Sequence, residues 1–118
     1  MKTARAAAAP YTTKDGSTIR ELMHPLVHGN AAQSLAEATV PPGGMTALHR
    51  HARTEELYHV LEGRGRMTLG EREFDVAPGD TVLIAPGTPH RIGNPGHAEL
   101  RFLCACAPAY SHEDTELL

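Results

Sequence analysis

The sequence lacks most of the features that would take it outside the ordinary globular class. No stretch approaches the ~20 consecutive apolar residues of a membrane-spanning helix. No basic block is present, and a formal net charge of -3 with histidines neutral gives no electrostatic case for nucleic acid or a membrane surface. Cysteine is nearly absent. Cys104 and Cys106 lie two apart in a strand-like run, which puts their β-carbons roughly 6–7 Å apart, too far for a disulfide. Free thiols favour a reducing compartment. The N-terminal Met1–Pro10, with Lys2, Arg5 and a short alanine run, is too weakly apolar for a secretory signal, so the expected location is cytoplasmic. Also missing are internal repeats, a linker, and any long window with a helical apolar period and proper caps.

What is present fits a single domain. At 118 residues, 41% apolar and 21% charged, the chain can bury one core without staples. Short strand-like runs alternate with Gly, Pro and Asn at close spacing. The predicted strands are 18–22, 34–40, 46–51, 56–61, 65–69, 72–76, 80–84, 90–93 and 98–106. Gly70-Glu71, flanked by Met67-Thr68-Leu69 and Arg72-Glu73-Phe74-Asp75-Val76, suits a two-residue hairpin with glycine first. The pattern predicts an all-β sandwich or barrel over 17–108. It also predicts a loose arm over 1–16 and an exposed tail over 109–118, with one capped turn at Ser111-His112-Glu113-Asp114.

Alternation assigns faces. Leu100, Phe102, Cys104 and Cys106 share one side of their strand, opposite Glu99 and Arg101. In 56–61 the split is Glu56, Tyr58, Val60 against Leu57, His59, Leu61, which does not separate polar from apolar and predicts that both faces are covered. A carboxylate on a covered face needs a partner, because burying an unpaired charge is costly.

Eight histidines are many for this length. His49 and His51, two apart in a strand, project from one face towards a shared point, and Glu56 begins a returning strand that can face it too. Two imidazoles and a carboxylate suit a first-row divalent metal. Here the sequence resembles the cupin superfamily, whose first motif is G-x5-H-x-H-x3/4-E-x6-G. The chain reads Gly43-x5-His49-x-His51-x4-Glu56-x6-Gly63, and the spacing to Gly63 selects Glu56 over Glu55. The second motif, G-x5-P-x-G-x2-H-x3-N, is met by Gly79, Gly87, His90 and Asn94, departing only where Ala85 stands for the proline. The resemblance spans about residues 34–106. It implies a double-stranded β-helix, or jelly-roll, barrel holding one divalent transition metal through His49, His51, Glu56 and His90, with Fe or Mn favoured and Ni or Zn compatible.

Such a site keeps open positions for a small-molecule ligand, as catalytic metal sites do. The expected activity is metal-dependent and oxygenase-type, dioxygenase-like, on a small oxygen-bearing organic molecule. The alternatives are a sugar isomerase or epimerase, and a non-catalytic small-ligand or metal-binding module. Tyr58 and Cys104 are candidate catalytic residues by parity, and Met67 and Phe102 are either pocket wall or plug. His59 reads as packing or interface, His24 and His28 as solvated loop residues, His97 carries no functional signal, and His112 reads as part of an exposed tail, with reach to the barrel mouth as the alternative. Exposed sheet edges and an apolar face predict a homodimer.

Overall fold

The computed structural model describes residues 1–118. Eleven strands form two antiparallel sheets. In chain order they are β1 (Tyr11–Thr12), β2 (Thr18–Met23), β3 (Ser34–Val40), β4 (His49–His51), β5 (Glu55–Glu62), β6 (Gly65–Leu69), β7 (Arg72–Val76), β8 (Thr81–Ile84), β9 (His90–Gly93), β10 (Leu100–Ala107) and β11 (Thr115–Leu117). The larger sheet runs β1-β2-β3-β10-β5-β8 and the smaller β11-β4-β9-β6-β7. Most predicted strands are present within a residue or two; the first residues of 46–51 and 98–106 lie outside regular strand.

The period-2 pattern explains how the sheets face each other. Along β10 the buried residues are Leu100, Phe102, Cys104 and Cys106, and along β5 they are Glu56, Tyr58 and Val60. Register places Phe102 opposite Val60 and Cys106 opposite Glu56. In the smaller sheet Met67 pairs with Ile92 and Leu69 with His90. The space between the sheets therefore divides. One end is filled by Val60, Met67, Ile92, Leu100 and Phe102, each at most 1% exposed, where burial stabilises by about 1.5–3 kcal/mol per large side chain. The other end receives His49, His51, His90, Glu56 and Cys106.

Two tight spots fix the connections. Gly70, at φ +61, opens the β6–β7 hairpin, as a glycine-first two-residue turn requires. Gly63, at φ +83, passes so close to the chain before β10 that a Cβ would lie 2.5 Å from the Glu99 carbonyl oxygen. No side chain fits there without moving backbone.

Several expectations are corrected. The arm is tied down: Arg5 Nε reaches both oxygens of Glu37 at 2.8 and 2.9 Å, Thr3 Oγ1 donates to Leu22 O, and Arg20 donates to Ala8 O. Glu37, on the outer side of β3, is only 3% exposed because Arg5 and Arg101 both close over it. The tail forms the expected turn, with Asp114 N donating to Ser111 Oγ, and then pairs as β11 with β4. His24 is buried; it caps the short helix α1 (Pro25–His28) by accepting from Leu26 N, and its Nε2 lies 2.7 Å from Tyr110 O. The second face of 56–61 is not covered: Leu57 is 38% exposed, and His59 is half-buried beside Thr81.

Candidate metal centre

The strand geometry that the His-x-His spacing implies is realised. His49 and His51 both point inward from β4, and β4 pairs with β9 through His49 and His90. The three rings have one ligand-capable atom each within 4.8 Å of the others. All three are at most 3% exposed. Glu56, 4% exposed, arrives from the opposite sheet, with its Oε1 3.2 Å from His51 Nε2 and 3.5 Å from His90 Nε2. Neither contact has hydrogen-bond geometry, so His51 Nε2, His90 Nε2 and Glu56 Oε1 are buried without a hydrogen-bond partner.

The Nδ1 atoms, by contrast, are engaged. His49 Nδ1 lies 2.7 Å from Ala47 O and His90 Nδ1 2.9 Å from Thr88 O. A carbonyl only accepts, so both rings carry a proton on Nδ1, and in the neutral ring Nε2 is the nitrogen that presents a lone pair to the centre. His51 Nδ1 lies 3.0 Å from Thr115 Oγ1, whose own hydroxyl donates to Ser111 O at 2.8 Å. The hydroxyl's proton is thereby spent, and its oxygen accepts from His51. All three imidazoles face inward as the same tautomer.

Protonation favours the same chemistry. Burial pulls the His49 pKa down, and the His90 ring beside it adds to this, keeping the imidazole neutral. Burial would push the Glu56 carboxyl up, but the His51 and His90 rings outweigh it and hold it at about 2. Cys106 donates its thiol to Glu56 Oε2 at 3.3 Å, which turns Oε1 towards the rings. Burial, followed by the Glu56 charge, pushes both the Cys104 and Cys106 thiols up, so each stays protonated.

The expected catalytic candidates also lie here. Tyr58 is 3% exposed, packs its ring 4.6 Å from Phe102 and 6.0 Å from His90, and is held protonated chiefly by burial. Tyr58, Cys104 and Phe102 line a narrow cavity of about 30 Å³ that also touches His49, His51 and Glu56. That is space for roughly two water molecules. Phe102 is wall, and Met67 lies outside the lining.

Sequence reading missed the supporting residues. Asp114 accepts from Arg53 N and Thr54 N with its carboxylate and from Ala52 N with its carbonyl, which fixes the turn joining β4 to β5. Thr115, next in sequence, sets the His51 tautomer. Asp15 is a further carboxylate near the centre, with Oδ2 3.5 Å from His49 Nε2. The spacing Thr13-x-Asp15-x-Ser17 was its only signal, since Asp15 Oδ1 accepts from Ser17 N two residues on.

Residues 36–106 match the family model described as a cupin domain. Over 118 residues the chain is 54% identical to an uncharacterized protein of Methanocaldococcus jannaschii, spanning 100% of this chain and 94% of that one. The polyketide cyclase RemF from Streptomyces resistomycificus superposes with a TM-score of 0.80 at 25% identity, covering 97% of this chain and 88% of that one. A predicted oxalate decarboxylase of Thermotoga maritima superposes with a TM-score of 0.80 at 24% identity, over 92% and 99% of the two chains, and at that identity the likeness concerns the fold alone.

The tautomer assignment is open to direct measurement. In metal-free protein, long-range ¹⁵N–¹H spectra should show His49, His51 and His90 all protonated at Nδ1. Thr115→Val should convert His51 alone to a tautomer mixture. An Nε2–H signal from any of the three in the wild type would contradict the assignment.

Proposed function

The chain belongs to the cupin family, and from that premise we propose that it binds one divalent first-row metal ion through His49, His51, Glu56 and His90 and acts as a metal-dependent enzyme on a small oxygen-bearing molecule. The observation that carries this is the trio of buried, unpartnered atoms: His51 Nε2, His90 Nε2 and Glu56 Oε1. An unmet buried donor or acceptor costs about 1–3 kcal/mol. Three of them concentrated at one point, on donor types that ligate first-row metals, support a cation as their common partner. Three imidazoles with one carboxylate favour Fe(II) or Mn(II), and Ni(II) or Zn(II) also fit the donor types. When bound, such an ion supplies Lewis-acid polarisation or oxygen activation.

The chain's own residues do the rest. The four donors hold the ion from two facing sheets and leave the cavity side open. Phe102, Ala36, Ala38 and Ile19 wall that cavity and restrict water. Cys106 orients Glu56, and Thr115 orients His51. Oxygenase-type chemistry is the reading that this donor set and the small, narrow cavity support best. The cavity also favours turnover over storage, because the inward-facing Phe102 flanks the space without filling it.

A second copy of the chain suits the outer face of the larger sheet. Register lines up Leu35, Ala105, Leu57 and Leu83 across four neighbouring strands, and the three leucines are 37%, 38% and 56% exposed. A homodimer would cover this row.

Protein prepared without a histidine tag and reconstituted with Mn(II) or Fe(II) should hold close to one equivalent. His51→Ala and His90→Ala should each lower metal affinity by at least a hundredfold, since each removes one donor. Metal retained in both variants would discard the ligand set. For the dimer, sedimentation should show twice the chain mass at micromolar concentration, reduced to one by Leu57→Glu with Leu83→Glu; a monomeric wild type would refute it.

A further inference from the structure

The lining of the cavity carries a specificity that the ligand set alone does not. Its charged members, besides the metal-facing histidines, are Asp15, Glu21 and Glu56; no Lys or Arg lines it. Lys14, the cation next in sequence to Asp15, is turned away, donating to Thr115 O at 2.7 Å and His112 O at 3.3 Å on the tail. Arg5 and Arg101 are committed to Glu37 on the outer face, and Arg50 to Glu116.

The two carboxylates outside the ligand set are held in place. Asp15 Oδ1 accepts from Thr13 Oγ1, Ser17 N and Ser17 Oγ at 2.7, 2.9 and 2.6 Å. Its carbonyl accepts from Ala47 N at 2.8 Å, which pins the turn to the strand leading into His49. With Oδ1 occupied, Oδ2 is the oxygen left beside His49 Nε2, 3.5 Å away. Glu21 is fixed in a similar way: Oε1 accepts from Tyr11 OH at 2.7 Å, and Oε2 is buried with no partner.

Resting on the metal reading above, we propose that this site selects an uncharged, hydroxyl-bearing small molecule and rejects carboxylates and phosphates, with Asp15 and Glu21 as the specificity-determining residues. The positive charge of a divalent ion is outweighed by three carboxylates around one narrow space. An anion entering to reach the ion would lie beside Asp15 and Glu21 with no counter-charge to neutralise it, in a cavity where charges are poorly screened. A neutral hydroxyl or hydroxycarbonyl compound of a few heavy atoms, reaching the ion through the open side of the cavity, meets no such repulsion. Its hydroxyl groups can donate to Asp15 Oδ2 and Glu21 Oε2, the two acceptor atoms that the chain leaves free. Such discrimination works by penalising the wrong ligand as much as by holding the right one. A small dicarboxylate is accordingly a poor substrate for this chain.

Glycolate and glycolamide test this, being close in shape and differing in charge. Both are titrated into protein saturated with Mn(II), and binding is read as displacement of water from the ion by proton relaxivity. The glycolate-to-glycolamide affinity ratio of the protein should fall below that of aqueous Mn(II). Asp15→Asn and Glu21→Gln should each raise it roughly tenfold, the size expected for one removed charge at short range, chiefly through tighter glycolate binding. Glu21→Gln leaves the Asp15 turn untouched, so the test stands even if Asp15→Asn unfolds the arm. A ratio at or above the aqueous value, or one that neither substitution moves, overturns the inference. A chain that takes up no manganese overturns the metal reading and this inference together.

Discussion

Everything in this fold is arranged around the cost of burying four polar side chains at one point, three of them with an inward atom unspent. Imidazoles and carboxylates are normally kept at the surface or fully paired, because each unmet group costs stability in a low-dielectric interior. Here His49, His51, His90 and Glu56 are all at most 4% exposed. The chain offsets that cost locally by satisfying the outward atom of each: Ala47 O, Thr115 Oγ1, Thr88 O and the Cys106 thiol. What remains unsatisfied faces a single point, and the proposed cation would meet all of it at once.

The two chain ends complete the site. The segment before β2 brings Thr13, Asp15 and Ser17 to the cavity, and the segment after β10 brings Tyr110 there and Thr115 to His51. Lys14 links them by donating to backbone carbonyls of the tail. Arg5 on Glu37 clamps the start of the chain to the larger sheet. The ligand strand β4 has only three residues, and β11 and β9 flank it on either side. A strand so short gains its rigidity from such neighbours, and the placement of His49 and His51 depends on that rigidity.

The sequence was most readable where local pattern and spacing decide the outcome. Strand-like runs between Gly, Pro and Asn located β3, β5, β6, β7 and β10, alternation assigned the inward face of β10, and glycine placed the β6–β7 turn. The two histidines at a spacing of two, with Glu56 on the returning strand and His90 in the second motif, marked side chains that the fold does bring together. What could not be read depends on partners far along the chain. Thr115 meets His51 across 64 positions, and Arg5 meets Glu37 across 32, with no local signature for either. His24 looked like a loop residue because its capping partner is local but its burial comes from Tyr110, 86 positions away. Leu57 and Leu83 are apolar yet exposed within this single chain, and alternation cannot tell a face covered by a second copy from one covered by the chain itself.

The central claim is that one metal ion sits among three imidazoles and one carboxylate, with neither cysteine bound to it. X-ray absorption at the metal edge of the Mn(II)- or Fe(II)-loaded protein measures this directly. The account predicts a first shell of nitrogen and oxygen only, with outer-shell scattering from three imidazole rings that falls to two in His90→Ala. A sulfur scatterer in the first shell, or a ring count that His90→Ala leaves unchanged, would contradict it.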